Sequence, residues 1–208
     1  MKVSTIFWDV GGVLLRTEDP RPRELLAAQF GKSRQELDEL VWGGELGRAA
    51  QLGEITAAER WAEVGRQLGI PAAGLVHFRE EFFAGDRLDT SLLAWIRQLK
   101  THYKIGIISN AMSDTRAFLT EQLQISEAFD DMVFSAEIHL MKPDPRIYRL
   151  ALDRLGVEAE AAFFVDDSRP NVDGARRLGM QAVHFRNPRE TRQALIKLLT
   201  ELPDGDKP

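Results

Sequence analysis

The chain has 208 residues, with 27 lysines and arginines against 32 aspartates and glutamates, which gives a formal net charge of −5. Its 44% hydrophobic and 28% charged residues are ordinary for a globular protein and exclude a disordered chain, and the mild acidity argues against a nucleic-acid partner. The absence of cysteine excludes disulfides, zinc–thiolate sites and cysteine nucleophiles.

The N-terminal part of the chain predicts one strand followed by a helical segment. The apolar, β-branched run Val3–Trp8 predicts a buried strand, which ends at Asp9 and turns at Gly11-Gly12. Residues 17–88 carry apolar side chains at helical spacing throughout and offer no strand candidate. They therefore predict a small helical domain inserted after the first strand.

The rest of the chain alternates between strand-like and helix-like segments. Four short, nearly continuous apolar runs predict buried parallel strands: Lys104–Ile108, Met132–Phe134, Ala161–Val165 and Gln181–Phe185. Segments with apolar residues at helical spacing lie between them: Ser91–Lys100, Ser113–Leu123, Arg146–Leu155 and Asn171–Leu178. This alternation predicts a doubly wound parallel α/β sheet.

These elements set the expected domain boundaries. We assign residues 1–16 and 89–208 to a Rossmann-like α/β core, and residues 17–88 to a helical cap inserted in it. Residues 203–208 are polar and rich in proline and glycine, so we expect a frayed tail.

Polar side chains follow four of the predicted strands. They are Asp9, Ser109, Asn110, Lys142, Asp166 and Asp167. Ligands of an open parallel sheet bind beyond the carboxyl ends of its strands. Three carboxylates that converge there repel one another unless a cation lies among them, and Mg²⁺ suits oxygen ligands. The hydroxyl and the ammonium suit a phosphate group, and a carboxylate can serve as nucleophile. Each residue alone is weak evidence, because an aspartate after a strand is more often a helix cap; their joint placement favours a site.

Four sequence blocks resemble the motifs of the haloacid dehalogenase (HAD) superfamily of aspartyl-nucleophile hydrolases. They occur in the family's order and at its usual spacing: Phe7–Leu14, Ile107–Asn110, Lys142–Asp144, and Phe164–Asp167 running into Asn171–Ala175 and Leu178-Gly179. The predicted insert resembles the family's helical cap, including its Gly53–Thr56 stretch. The resemblance covers the whole core and is closest to the phosphatase-like branch with a small helical cap.

The resemblance implies a Mg²⁺ site at the end of the first strand. Asp9 would attack phosphorus and also bind the metal, and the backbone carbonyl of Gly11 would be a second ligand. Asp166 would complete the site, with Asp167 in direct or water-mediated support. The implied enzyme is a Mg²⁺-dependent phosphomonoester hydrolase that acts through an aspartyl-phosphate.

The resemblance also implies how the substrate is held. Ser109 and Lys142 would bind the phosphoryl oxygens, with the backbone of Asn110 assisting. Lys142 would further offset the charge of Asp9 and keep the nucleophile ionised. We expect a small phosphorylated metabolite as substrate.

One position departs from the family pattern. Phosphatases of this family usually carry a second aspartate two residues after the nucleophile, as general acid and base, and here that position is Gly11. Losing a proton carrier costs on the order of 10²- to 10⁴-fold in rate, while positioning and charge neutralisation supply most of the catalysis of phosphoryl transfer. We therefore expect slow turnover. Glu45 and Glu54 of the insert are candidate substitutes, for which solvated surface carboxylates are the simpler interpretation.

Three alternatives remain open from the sequence. A metal-independent 2-haloacid dehalogenase shares the fold and also lacks the second aspartate, but resemblance implies small neutral residues where this chain has Asp166-Asp167. A phosphoacceptor signalling domain has its motifs in another order and is shorter. A non-catalytic relative that binds a phosphometabolite or a partner protein is compatible with Gly11.

Partners and location follow from composition. No stretch approaches the ~20 apolar residues of a membrane span, and the N-terminal run contains Asp9 and lacks a signal-peptide cleavage site. We expect a cytoplasmic protein with no nucleic-acid or membrane partner. The sequence carries no signal of an oligomeric state.

Overall fold

The computed structural model describes residues 3–200, with side chains as far as residue 197. The predicted frayed tail, residues 203–208, lies outside the described residues. Within the described part of the chain, none of the helices combines the length and the hydropathy needed to cross a membrane.

The described residues contain seven strands, which form two sheets. In chain order they are β1 (Thr5–Trp8), β2 (Leu15–Thr17), β3 (Asp86–Leu88), β4 (Lys104–Ser109), β5 (Asp131–Phe134), β6 (Ala162–Asp166) and β7 (Gln181–His184). Five of them make a parallel sheet in the order β5-β4-β1-β6-β7. The predicted doubly wound α/β core is confirmed, and its strand ends differ from the prediction by one or two residues.

Eleven α-helices lie within residues 3–200. They are α1 (Arg21–Gln29), α2 (Arg34–Trp42), α3 (Gly44–Gln51), α4 (Ala57–Leu68), α5 (Leu75–Phe83), α6 (Thr90–Leu99), α7 (Thr115–Ala117), α8 (Ser135–Ile138), α9 (Pro145–Leu155), α10 (Arg169–Arg177) and α11 (Pro188–Thr200). Asp144 caps α9 through the amide of Arg146, with Pro145 in its first turn. The helix predicted over Ser113–Leu123 is instead the short α7 followed by a π-helical turn over Phe118–Gln122.

Alternate side chains of the strands pack on opposite faces of the sheet. Trp8 of β1 and Val165 of β6 belong to a hydrophobic cluster that includes side chains of α6. Phe7 and Phe164 belong to a second cluster, formed with α9. Both faces of the sheet are therefore covered, which is why its strands read as continuous apolar runs.

A short antiparallel ribbon joins the insert to the core. We predicted no strand within residues 17–88, and this was wrong at the borders, because β2 pairs with β3. Four of the six residues of the ribbon are polar, and it carries a hydrogen bond of 2.6 Å from Thr17 Oγ1 to Asp86 Oδ1. Strands of three residues without an apolar alternation give no periodic signal in the sequence.

Candidate active site

The carboxyl ends of β1, β4 and β6 bring the predicted site residues together. Trp8 pairs in register with Ile107 on one side and Val165 on the other, so that the strands end at one level. Asp9, Ser109 and Asp166 lie at these ends and are at most 7% exposed. Lys142, in the loop before α9, is 4% exposed and reaches the same place.

Lys142 is bound to both buried aspartates. Its Nζ lies 2.9 Å from Oδ1 of Asp9 and 2.6 Å from Oδ2 of Asp166, and it donates a third hydrogen bond of 2.8 Å to the carbonyl of Ile108. These three acceptors use all three ammonium hydrogens. The lysine is therefore held in one position by its partners.

Asn110 holds the backbone of Lys142 with its side chain. Its Nδ2 donates to the Lys142 carbonyl at 3.0 Å, and its Oδ1 accepts from the Lys142 amide at 2.8 Å. The resemblance implied a role for the Asn110 backbone only. The structure adds a side-chain role, which fixes the start of the Lys142 loop against the end of β4.

Asp166 is held by two groups that we had not predicted for it. Its Oδ1 accepts from the Ser168 amide at 2.7 Å, and Nδ2 of Asn171 lies 3.1 Å and 3.2 Å from its two carboxylate oxygens. Asn171 belongs to a recognised sequence block but carried no assigned role. Its position in the first turn of α10, directly after the Asp166 loop, was the available signal.

Three carboxylates lie close enough together to share one cation. Asp9, Asp166 and Asp167 each offer an oxygen, and these oxygens all lie within 4.8 Å of one another. Asp9 and Asp166 are buried, whereas Asp167 is exposed. The ammonium of Lys142 contacts two of these carboxylates and balances one of the three negative charges. The remaining negative charge suits a hard divalent cation with oxygen ligands.

The two glycines after Asp9 differ in the space around them. Gly12 has a φ of +72°, and a Cβ built on it would lie 2.0 Å from Oδ2 of Asp167. Only glycine fits there without displacing Asp167. A Cβ on Gly11 would meet no atom within 4 Å. No neighbouring group occupies the space next to Gly11, where the family's usual second aspartate begins its side chain. That space is open because residue 11 is a glycine.

Burial dominates the electrostatics of the nucleophile. It raises the pKa of Asp9 to about 7, although Lys142 lowers that pKa and Asp166 raises it further. Although Asp167 is exposed as a residue, partial desolvation of its carboxylate and the charge of Asp166 likewise raise its pKa. Burial lowers the pKa of Lys142, but the two aspartates outweigh it and raise that pKa overall. Lys142 alone therefore does not keep Asp9 fully ionised at neutral pH.

The two candidate acids of the insert lie outside this arrangement. Glu45 and Glu54 are exposed, and neither side chain makes a hydrogen bond or ion pair with any residue the structure describes. The geometry supports the interpretation of both as solvated surface carboxylates.

The chain is similar to known proteins over most of its length. A model of the haloacid dehalogenase-like hydrolases matches residues 3–179. Phosphatase MT3486 of Mycobacterium tuberculosis is 26% identical over 97% of this chain and 96% of its own length. Drimenol cyclase drtB of Aspergillus calidoustus is 24% identical over 94% of this chain, which spans only 36% of that longer protein.

Solved structures share the fold. The HAD family enzyme BT-2542 of Bacteroides thetaiotaomicron, in complex with magnesium and inorganic phosphate, superposes with a TM-score of 0.73 at 20% identity, covering 89% of this chain and 96% of the other. The L-2-haloacid dehalogenase of Xanthobacter autotrophicus superposes with a TM-score of 0.59 at 18% identity, covering 94% and 83%. Both the metal-bound and the dehalogenase relatives thus have this architecture.

The raised pKa of Asp9 predicts how pH affects stability. Because that pKa is 3.8 ordinarily and about 7 in the fold, the native state binds more protons than the unfolded state between these values, and the contribution of Asp9 to stability falls as pH rises through them. Asp9→Asn cannot titrate. In chelator, we expect its unfolding free energy relative to wild type to increase from pH 5 to pH 8 in urea titrations.

Asp19→Asn is the control for this measurement. Hydrogen bonds from the Arg21 side chain hold the pKa of Asp19 at about 2, so the effect of that substitution is expected to be constant from pH 5 to pH 8. A difference between Asp9→Asn and wild type that stays equally constant would contradict the prediction.

Proposed function

Because the chain belongs to the haloacid dehalogenase-like hydrolases, we propose that it is a Mg²⁺-dependent phosphomonoester hydrolase with Asp9 as its nucleophile. The observation that carries the proposal is the buried Lys142 in contact with Asp9 and Asp166, with Asp167 beside them. One ammonium group and three carboxylates leave an excess of negative charge, so the site needs a metal ion. With the metal bound, the site would attract an anion. The proposed substrate is a small phosphorylated metabolite.

The residues present fit a magnesium ion. Asp9, Asp166 and Asp167 offer oxygens at compatible separations, and burial together with the charge of Asp166 raises the pKa of Asp9 and Asp167. The proposed fourth protein ligand is the backbone carbonyl of Gly11. When bound, Mg²⁺ would lower the pKa of Asp9 and neutralise charge on the phosphoryl group.

The proposed reaction has two displacements at phosphorus. A carboxylate oxygen of Asp9 forms a bond to phosphorus while the ester P–O bond breaks, and the departing alkoxide takes a proton from water. Water then attacks the aspartyl-phosphate and breaks its acyl P–O bond, which releases inorganic phosphate, restores the carboxylate of Asp9 and gives a proton to the solvent, where it neutralises the hydroxide left by the first step. Ser109 and Lys142 are the proposed donors to the phosphoryl oxygens, with Lys142 turning one of its three hydrogens from a present acceptor to the phosphate.

We propose that this reaction is slow because residue 11 is a glycine. No side chain at that position delivers a proton to the leaving group or takes one from the attacking water. Leaving groups that need no proton, such as aryl oxides, are affected least. Hydrolysis of the aspartyl-phosphate lacks a general base, so that this intermediate should accumulate.

A metal-independent dehalogenase is the competing function. The structure disfavours it, because Asp166 is buried within reach of Asp9. Two additional carboxylates without a cation would repel an anionic haloacid. A binding protein without turnover is the other alternative, and both are outcomes of the experiments below.

Asp9→Asn tests the nucleophile. We expect wild type to release phosphate from an aryl phosphate and from sugar phosphates in Mg²⁺ but not in chelator, and Asp9→Asn to release none. Mass spectrometry of acid-quenched wild type should show a phosphoryl group on Asp9. Silence of both proteins, together with metal-independent halide release from a 2-haloacid, would favour the dehalogenase; silence in both assays would favour a binding protein.

Gly11→Asp tests the missing proton carrier. The open space at this position accepts the side chain, and we expect turnover of alkyl phosphates to rise on the order of 10²-fold, with a smaller gain for aryl phosphates. Gly11→Asn is the matched control, since it has the same shape and cannot transfer the proton. Equal rates for the two variants would show that proton transfer is not what the chain lacks.

Gly12→Ala tests the metal ligands. Its methyl group must displace the Asp167 carboxylate, and we expect the Mg²⁺ affinity, measured by calorimetry, to fall on the order of tenfold. Gly11→Ala, which meets no neighbouring atom, should leave that affinity unchanged. Unchanged affinity in Gly12→Ala would remove Asp167 from the metal site.

A further inference from the structure

The helical insert also contacts the core at a second place, distant in sequence from the ribbon of β2 and β3. We call this second contact region the seat of the insert. The contacts of this seat join residues 51–57 and α5 to the loop after β4 and to α8. They are Ala57 N–H to Ser113 Oγ at 3.0 Å, His139 Nδ1 with the Leu52 carbonyl at 2.7 Å, and Arg79 with Asp114 at 2.9 Å. Met112 of the core is 3% exposed and packs within the hydrophobic cluster of the insert.

Within this seat, the backbone of Gly53 lies close against the backbone of α8. It has a φ of +70°, and a Cβ built on it would lie 2.0 Å from the carbonyl oxygen of Ala136. Any larger residue therefore separates the insert from α8.

Ser135 lies at the centre of the seat and is fully buried at the end of β5. Its Oγ accepts from the Ala111 amide at 2.9 Å and lies 2.5 Å from the Gln51 carbonyl and 3.3 Å from the Ala111 carbonyl. A hydroxyl has one proton, and the shorter contact takes it. One side chain thus joins the backbone of the insert to the loop that follows β4.

That loop leads directly to the phosphate-binding residues of the proposed enzyme. Ala111 follows Asn110, which holds the backbone of Lys142, and Ser109 precedes it. We propose that Ser135 is a positioning residue: through Gln51 on one side and Ala111 on the other, it couples the seating of the insert to the conformation of the Ser109–Asn110 turn. Its effect on catalysis rests on the proposed function, whereas the coupling itself does not.

The coupling has a reciprocal consequence. If the seated insert favours the turn that binds phosphate, then phosphate must favour the seated insert by the same factor. In the wild-type protein with Mg²⁺, inorganic phosphate should therefore slow amide exchange at residues 51–57 severalfold. In Ser135→Ala that protection should be lost.

The main test unseats the insert from its own side. We expect Gly53→Ala to speed amide exchange at residues 109–112 by about tenfold and to raise the Kd of inorganic phosphate and the KM of an aryl phosphate similarly, with kcat changed less. In Ser135→Ala, which already lacks the connection, adding Gly53→Ala should produce no further change in any of these. Mg²⁺ affinity should stay the same in all variants.

Two controls separate coupling from general loss of structure. Gly69→Ala imposes the same backbone strain in the insert, at a φ of +69° with no atom within 4 Å, and should leave residues 109–112 unchanged. Thr5→Val removes another fully buried hydroxyl, at the opposite end of the sheet, and should also have no effect there. Ser135→Thr, which keeps the hydroxyl, should retain the response to Gly53→Ala if Ser135→Ala does not fold.

The outcomes are distinct. If the effects of Gly53→Ala and Ser135→Ala simply multiply, or if Gly53→Ala leaves residues 109–112 unchanged, the coupling is overturned even when phosphatase activity is present. If the exchange response to Gly53→Ala follows the expected pattern but wild type neither binds nor releases phosphate, the coupling holds and the proposed function fails.

Discussion

The contact of the Lys142 ammonium with two buried carboxylates is the interaction on which the site depends. Burying a lysine is costly, and here Asp9, Asp166 and the Ile108 carbonyl offset that cost by satisfying all three of its hydrogens. The three acceptors come from three neighbouring strands of the sheet. The fold and the charge arrangement therefore require each other, since the ammonium has partners only if β1, β4 and β6 end at the same level.

The positive and negative charges of this site do not balance. With Asp167 added, the acids outnumber the ammonium bound to them, and the pKa of Asp9 is raised to about 7 by burial. In the proposed enzyme a metal ion held by these carboxylates would lower the pKa of Asp9 and balance the negative charge of the cluster. Gly12 leaves the space that the Asp167 carboxylate occupies.

The phosphate-binding turn is held from two directions. Asn110 fixes it to the Lys142 loop on the core side, and Ser135 connects the residue after it to the insert. In the proposed enzyme, the insert thereby acts on the chemistry through backbone hydrogen bonds without contributing a catalytic side chain. Such a connection transmits small displacements because Ser135 and Ala111 are buried and have no water to replace a lost partner.

The sequence by itself determined the parallel sheet and the residues that converge at its edge. Buried strands are continuous apolar runs, and the carboxyl ends of parallel strands meet at one side, so that Asp9, Lys142 and Asp166 could be placed together in advance. Only the tertiary structure decided which groups the side chains of Asn110 and Ser135 hold. It also decided that β2 and β3, two mostly polar strands of three residues, pair with each other. Those contacts join residues distant in the chain, and their geometry depends on register and loop conformation, which no local periodicity records.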